Sequence, residues 1–136
     1  MKMNAIIIYD RLAENILMCF RSKDPYKGLY NVIGGKVEAG EAGLDAAYRE
    51  LEEETGITKT DVTLTHLMDF TYHLDHIELQ IYVGKLDKEV ELQEEAHALH
   101  WINVNENFFN MTKYAGEGNI GHMLEIVKYH QEKIFK

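Results

Sequence analysis

The chain has 136 residues, a length that fits one domain with one hydrophobic core. Hydrophobic residues make up 46% and charged residues 27%, which predicts a globular rather than a disordered chain. The formal charge of −9 argues against a nucleic-acid polymer or an anionic membrane as a partner, because both would repel an acidic protein. A nucleotide stays compatible with this charge, since a bridging cation can hold its phosphates.

The single cysteine, Cys19, lies in an apolar run at 16–20, where we predict a buried and unreactive thiol. One cysteine cannot form a disulfide within the chain, and the apolar stretch that follows Met1 is too short for a signal peptide. No stretch approaches the length of a membrane span. These features predict a cytoplasmic protein.

The first third of the chain has the pattern of short strands. Residues 5–9 and 16–20 are rich in β-forming side chains and are separated by a polar turn, which predicts a hairpin. A loop at 22–28 holds the only proline, and a third short strand is predicted at 29–33. That strand leads into Gly34 and Gly35, which we interpret as a Gly-Gly turn.

A helix with two different faces follows the glycines. At about 100° per residue, Glu53 and Glu54 fall on either side of Glu50, so the three carboxylates share one face. The neighbouring arc is apolar, suits packing on a sheet, and consists of Leu44, Ala47, Tyr48 and Leu51. Gly56 has the position of a C′ glycine, which predicts the end of the helix.

The second half of the chain predicts three more strands and a last helix. The strands are predicted at 62–72, at 77–86 with one face exposed, and at 98–104 with Trp101 as a core aromatic residue. Residues 106–111 indicate a helical turn. Asn119 is predicted to cap the last helix, whose apolar positions are Ile120, Met123, Leu124, Val127 and Ile134. This order predicts one α+β domain over residues 1–136, with a mixed β-sheet between helices.

The acidic face of the middle helix predicts a metal site. Like charges one turn apart repel, so Glu50, Glu53 and Glu54 cost stability unless a cation lies against them. Ligands that are all oxygens suit Mg²⁺ or Mn²⁺. The alternative is an ordinary solvated acidic face, and the spacing of the whole segment decides against it.

Residues 35–57 read Gly-x5-Glu-x7-Arg-Glu-U-x-Glu-Glu-x-Gly-U, where U is apolar. This pattern resembles the Nudix box of the Nudix hydrolase family, and chance agreement in a chain of this length is on the order of one in ten million. The order of strands and helices is similar to that of the whole Nudix domain. The resemblance implies an α/β/α sandwich that hydrolyses a nucleoside diphosphate linked to another group, with Mg²⁺ or Mn²⁺ as the cofactor.

The resemblance also implies roles for the residues of the box. Metal ligands fall on Glu50, Glu53 and Glu54, with the carbonyl of Gly34 as a further oxygen. Arg49 is implied to orient the carboxylates and Glu41 to support them. Either Glu50 or Glu53 is expected to take the proton of the attacking water.

A further metal ligand is expected from the loop before the last strand. Glu95 is the first choice and Glu94 the second, and a solvated loop acid is nearly as good an interpretation of both. Arg21 is expected to hold an α-phosphate and Lys36 a terminal one, with ordinary surface charges as the alternative.

The residues ahead of the two glycines bear on the substrate. Tyr30 and Asn31 before Gly-Gly-Lys resemble the oxidised-purine nucleoside triphosphatase branch of the family, in which the Asn reads the base. Asn119 is similar to a second base reader of the MutT-like branch, with a plain N-cap as the alternative. Tyr114 is expected to stack on a base, and Glu117 to accept from a guanine edge.

The leading hypothesis is a metal-dependent pyrophosphohydrolase that cleaves an oxidised purine such as 8-oxo-dGTP to the monophosphate and pyrophosphate. The alternative keeps the chemistry and changes the substrate to ADP-ribose, a dinucleoside polyphosphate or another capped nucleoside diphosphate. A nucleotide sensor without catalysis is a third hypothesis, and the complete set of box residues argues against it. The expected partner is a nucleotide alone, bound by a monomer or homodimer.

Overall fold

The structure is a computed structural model that describes residues 1–95 and 97–135. Its elements follow in chain order: strands β1 (Lys2–Tyr9), β2 (Asn15–Phe20) and β3 (Tyr30–Lys36), helix α1 (Gly43–Thr55), strands β4 (Thr65–Tyr72), β5 (Ile77–Lys85) and β6 (Ala98–Asn103), and helices α2 (Asn119–Tyr129) and α3 (Gln131–Ile134). None of these helices has the length and hydropathy of a membrane span.

All six strands form one mixed sheet in the order β4-β5-β1-β3-β2-β6. The β1–β5 pair is parallel and the other neighbours are antiparallel. The predicted hairpin between β1 and β2 is wrong beyond its turn, because these strands pair directly only at Tyr9 and Ile16. Past that pair they separate, since β3 lies between them and pairs with both.

The core has one layer on each face of the sheet, as alternating side chains require. On one face α1 packs with a cluster that includes Ile6, Ile8, Leu17, Ile33, Ala47 and Leu51. On the other face α2 packs with a cluster that includes Ile7, Met18, Val32, Ile120, Met123, Leu124 and Val127. The predicted α+β sandwich with a mixed sheet between helices is therefore confirmed.

Helix α1 presents a narrower apolar stripe than the sequence indicates. Its buried residues are Ala46, Ala47, Leu51 and Thr55. Leu44 is 43% exposed, and Tyr48 is half-buried with its hydroxyl accepting from the N–H of Leu64 at 2.9 Å. The helix ends as predicted at Gly56, which has a φ of 80° and donates its N–H to the Glu52 carbonyl.

The predicted Gly-Gly turn is wrong, because β3 continues through both glycines to Lys36. The glycines are needed for close approach. A Cβ on Gly34 would lie 2.1 Å from the carbonyl oxygen of Asn4 on β1, and a Cβ on Gly35 would lie 2.3 Å from Cδ of Glu50 on α1. The two residues thus let a strand and a helix lie directly against the backbone of β3.

Several predicted boundaries also change. The strand predicted from residue 62 begins at Thr65, and the buried Val62 and Leu64 precede it. The face of β5 predicted to be exposed is partly covered, since Tyr82 is buried in the cluster under α1. Trp101 packs at the margin of that cluster and is half-buried.

The C-terminal part differs from its prediction in three places. Residues 106–111 form turns without a helix. Asn119 is the first residue of α2 rather than its cap, because Gly118 precedes the helix and no side chain caps it. Ile134 lies in the separate helix α3.

Candidate active site on the carboxylate helix

Arg49 of α1 joins the acidic residues that the sequence singles out. Its Nε and Nη2 donate to the two carboxylate oxygens of Glu41 at 2.8 and 2.9 Å. Its Nη1 lies 3.1 Å from Glu50 Oε1 and 3.2 Å from Glu53 Oε2, and Nη2 donates to the Lys36 carbonyl at 3.0 Å. One planar guanidinium thus fixes three carboxylates and the end of β3.

The acids around Arg49 differ in the direction in which their pKa values are shifted. Bonds from Arg49 hold the pKa of Glu41 below its usual range, so this carboxylate stays ionised. Burial has the opposite effect on Glu50 and raises its pKa. Glu53 is more accessible, with 58% of its side chain exposed.

Glu54 lies deeper, beneath the end of α1 and against β3. Its Oε2 accepts the N–H of Gly34 at 3.2 Å. Burial, reinforced by the negative charge of Glu50, raises the pKa of Glu54 to about 7. A carboxylate that is poorly hydrated and surrounded by other carboxylates gains from a nearby cation.

Asn4 on β1 is a site residue that the sequence prediction missed. Its Oδ1 accepts the N–H of Gly35 at 2.9 Å, directly below Glu50. Only 3% of Asn4 is exposed, and its Nδ2 is buried without a hydrogen-bond partner in the described chain. The available signal was an amide residue immediately before the apolar run at 5–9.

The donor set fits a hard divalent cation, because every side chain in it offers oxygen and Gly35 leaves room for the Glu50 carboxylate. Among residues 1–95 and 97–135, however, no three His, Cys, Asp or Glu side chains converge on a common point. Arg49 holds Glu50 and Glu53 instead. The ligand set therefore stays a prediction, and binding would require these carboxylates to turn from Arg49 toward the cation.

The loop before β6 distinguishes the two further ligand candidates. Glu95 borders the same open groove as Arg49, Glu52 and Glu53. Glu94 accepts the N–H of Leu99 at 2.7 Å and so supports the start of β6. The carboxylate of Glu94 is thus already engaged, and Glu95 as a further ligand stays a prediction.

Of the two predicted phosphate-binding side chains, Arg21 has the more defined position. Its Nε donates to the Pro25 carbonyl at 3.1 Å, and its Nη1 lies 3.4 Å from Nε2 of His97. The guanidinium is also close enough to Glu54 for its charge to offset part of the rise that burial causes in the pKa of that carboxyl. Lys36 is exposed at the end of β3.

Two predicted base-binding residues lie at the start of β3 and turn to opposite faces. Tyr30 packs on the α2 face, where its ring contacts those of Phe20 and Tyr114. Asn31 is half-buried, and its Oδ1 accepts the N–H of Val32 at 2.9 Å. Within residues 1–95 and 97–135 no hydrogen bond engages its amide nitrogen, which is therefore the group that can contact a ligand.

The prediction that Tyr114 stacks on a base is wrong. Its side chain belongs to the core on the α2 face and is 1% exposed. Its hydroxyl donates to Glu106 at 2.8 Å. An aromatic residue with both ring faces in the core has no surface for a nucleobase.

Glu117 and Asn119 each contact a tyrosine that the sequence prediction missed. The hydroxyl of Tyr26 lies 3.0 and 2.9 Å from the two carboxylate oxygens of Glu117. Asn119 donates its Nδ2 to the hydroxyl of Tyr72. Burial and Glu117 raise the pKa of Tyr26 to about 12, which keeps its phenol protonated. No sequence spacing links these residues, because they come from separate loops and from β4.

Cys19 is buried on the α1 face beside Asn31, with which it pairs in the sheet. Burial raises the pKa of its thiol to about 11. The prediction of a buried, unreactive thiol is consistent with this position.

Comparison with known proteins finds a family match and similar proteins. A model of the NUDIX domain matches residues 1–122. An ADP-ribose pyrophosphatase of Methanocaldococcus jannaschii is 32% identical over 90 residues, which are 57% of this chain and 53% of that protein. The chain thus spans about half the length of this relative.

Solved structures share the fold. A Caenorhabditis elegans Ap4A hydrolase superposes with a TM-score of 0.76 at 23% identity, covering 96% of this chain and 98% of that one. The NUDIX domain of Shewanella oneidensis NrtR, solved with ADP ribose, gives a TM-score of 0.72 at 13% identity, covering 96% and 88%. With the family match over residues 1–122 and the complete box at 35–57, the chain belongs to the NUDIX domain family.

Proposed function

We propose that the chain is a metal-dependent pyrophosphohydrolase that cleaves a nucleoside diphosphate linked to a second group. Its preferred substrates are ADP-ribose and dinucleoside polyphosphates. The observation that carries this proposal is the arrangement of Glu41, Glu50 and Glu53 around Arg49, with Glu50 against Gly35. One arginine balances the charge of one carboxylate, so a surface helix gains little from two further acids on it and from a glycine opposite them. A site that handles phosphates through a cation does.

Glu50, Glu53 and Glu54 are the side chains that would hold Mg²⁺ or Mn²⁺, with the Gly34 carbonyl and Glu95 as further oxygens. The cation would neutralise the phosphates of the substrate and lower the pKa of a water molecule. Arg49, held by both oxygens of Glu41, would stay beside the carboxylates after they turn toward the cation. It would not compete for the cation, because a guanidinium is always positively charged.

Side chains of the protein would carry out the remaining steps. Arg21 binds the α-phosphate, held in position by the Pro25 carbonyl. Glu53 accepts the proton of the attacking water, because it is the most accessible of the three carboxylates that hydrogen-bond with Arg49. Glu50 is its alternative. Glu41 stays ionised and keeps Arg49 in place.

Two observations support the capped-diphosphate substrates over an oxidised purine triphosphate. The curated relative is named an ADP-ribose pyrophosphatase, and the C. elegans structure is that of an Ap4A hydrolase. In addition, the oxidised-purine hypothesis loses one of the base contacts that it predicts, because Tyr114 is enclosed in the core.

Hydrolysis of an oxidised purine such as 8-oxo-dGTP is the second candidate function. The position of Asn31 favours it, because this amide lies at the start of β3, on the strand that carries Gly34 and Gly35. Its nitrogen, free of the bond that occupies Oδ1, can donate to a purine carbonyl.

Product analysis over a panel of nucleotides tests the proposal. ADP-ribose, diadenosine tetraphosphate, 8-oxo-dGTP and dGTP are incubated with the protein and Mg²⁺, and products are separated by chromatography. We expect AMP and ribose 5-phosphate from ADP-ribose, at a kcat/KM at least tenfold above that for 8-oxo-dGTP. The reverse order would establish the second candidate, and binding without cleavage of any of the four would establish a sensor.

A matched pair of variants ties the activity to the site. Glu53→Gln removes a carboxylate next to Arg49, whereas Glu125→Gln removes one that pairs with Lys128 on α2. We expect loss of cleavage only in the first. Equal activity in both variants would contradict the assignment of the site to α1.

A further inference from the structure

Glu117 is held in a conformation that an ordinary surface glutamate does not adopt. It has a φ of 52°, between Gly116 at 87° and Gly118 at 90°. A left-handed conformation is unfavourable for a residue with a Cβ, and such strain persists where surrounding contacts enforce it. Here the enforcing elements are the buried Tyr114 and Ala115 before the turn and helix α2 after it.

The turn at 116–118 follows a segment that is hydrogen-bonded to β3, the strand that lies against Glu50. Tyr30 of β3 donates its N–H to the Lys113 carbonyl and accepts the N–H of Ala115, both at 2.9 Å. From this turn Glu117 reaches the loop at 22–28, where both of its oxygens lie near the Tyr26 hydroxyl. The same loop is bound by Arg21 through the carbonyl of Pro25. Glu117 therefore lies one loop away from the arginine assigned to the phosphate.

The charge of Glu117 determines which end of a nucleotide it can bind. A carboxylate repels phosphates, so it suits the neutral hydroxyls of a sugar. Both of its oxygens are directed at a single hydroxyl group, that of Tyr26, which can share only one proton between them. Two neighbouring hydroxyls would supply two full charge-assisted hydrogen bonds in the same place, and these are stronger than one shared bond.

We propose that Glu117 binds the ribose of the substrate by accepting hydrogen bonds from its 2′ and 3′ hydroxyls, displacing the hydroxyl of Tyr26, and thereby selects ribonucleotides over 2′-deoxyribonucleotides. This inference rests on the proposed function and adds a sugar specificity to it. The Tyr26 hydroxyl contacts the carboxylate directly. Burial raises the pKa of the Tyr72 phenol, which is also near enough for the charge of Glu117 to raise it, and Asn119 is bonded to its hydroxyl.

The test compares ADP-ribose with the analogue whose adenosine ribose lacks the 2′ hydroxyl. For the unmodified protein we expect kcat/KM to be at least tenfold higher for ADP-ribose, since a site built for a hydroxyl rejects the analogue that lacks it. Glu117→Gln should bring the ratio to within twofold of unity, mainly through KM. Tyr26→Phe should keep or increase it, because Glu117 loses its competing partner.

Glu106→Gln is the matched control. Glu106 is also an exposed carboxylate that accepts a tyrosine hydroxyl, that of Tyr114, but the contact is to a core residue. We expect it to leave the ratio unchanged. A ratio near unity in the unmodified protein, or a tenfold ratio retained in Glu117→Gln, would overturn the inference.

A binding measurement separates this inference from the proposed function. Calorimetric titration with AMP and with 2′-deoxy-AMP needs no cleavage, and tighter binding of AMP by tenfold, lost in Glu117→Gln, supports the ribose site. If neither diphosphate is hydrolysed but this preference is found, only the proposed function fails. If ADP-ribose and its 2′-deoxy analogue are hydrolysed equally, and the protein binds AMP and 2′-deoxy-AMP equally, only the ribose site fails.

Discussion

The two adjacent glycines of β3 should respond in opposite ways to the same substitution. In Gly34→Ala the new Cβ meets backbone atoms of β1, with the Asn4 carbonyl oxygen at 2.1 Å and Cα of Ala5 at 3.1 Å. In Gly35→Ala its three nearest atoms all belong to the carboxylate of Glu50, at 2.3 to 2.5 Å. Backbone in a central strand cannot give way, whereas the end of a glutamate side chain can.

The magnitudes follow from these neighbours. Gly34→Ala must separate β1 from β3, and overpacking of this kind costs about 3 kcal/mol or more. That corresponds to a fall in melting temperature on the order of 10 °C for a chain of this length. Gly35→Ala breaks the pair of Glu50 with Arg49, which is partly exposed, so the free energy of unfolding should change by no more than about 1 kcal/mol. Displacing this carboxylate should instead lower kcat about a hundredfold, roughly 3 kcal/mol of activation free energy.

Urea denaturation and Mg²⁺-dependent hydrolysis of ADP-ribose, both measured on the two variants, provide the assay. We expect Gly34→Ala to lose stability, and Gly35→Ala to lose activity at nearly unchanged stability. The reasoning would be refuted if Gly35→Ala were destabilised as much as Gly34→Ala while its folded fraction kept full activity.

Three further outcomes can be checked. Glu53→Gln should lower kcat by on the order of a hundredfold with an unchanged circular dichroism spectrum, whereas an unfolded variant would indicate a structural role. In metal-free protein the pKa of Glu54 is about 7 in the fold, against 4.5 for the free side chain, so its contribution to stability is complete below 4.5 and is lost as pH rises through 7. Glu54→Gln should remove this dependence, on the order of 1–2 kcal/mol after solvent screening, and parallel stability–pH curves for variant and parent would argue against it. Asn31→Ala should cut kcat/KM for 8-oxo-dGTP tenfold only if the second candidate function holds, while Asn119→Ala should cost about 1 kcal/mol of stability through its bond to Tyr72. The opposite pattern would move base recognition to α2.

The features that could be predicted from sequence are those fixed by local pattern. The end of α1 at Gly56, the two-faced core and the family followed from periodicity and from one fixed spacing. Gly34 and Gly35 were misinterpreted because a glycine pair serves a turn and a close approach equally well. Only the positions of Asn4 and Glu50, which are distant in sequence, distinguish the two.

The nucleoside end of the site shows the limit of sequence-based prediction. Asn is a residue type that often caps helices, but the side chain of Asn119 bonds to Tyr72 instead. Tyr114 is buried in the core. Its position in a Gly-rich segment of the sequence gives no indication of this burial. The contact of Tyr26 with Glu117 spans 91 residues, and no local signal predicts it.

The central claim is that the carboxylates around Arg49 act through a divalent cation on a phosphoric anhydride. The most direct test is the rate of AMP formation from ADP-ribose before and after removal of metal by a chelator, followed by addition of Mg²⁺ in excess. We expect the rate to fall to background on chelation and to return on addition, because uncompensated carboxylates repel the diphosphate. Hydrolysis that continues undiminished in the chelator would contradict the claim.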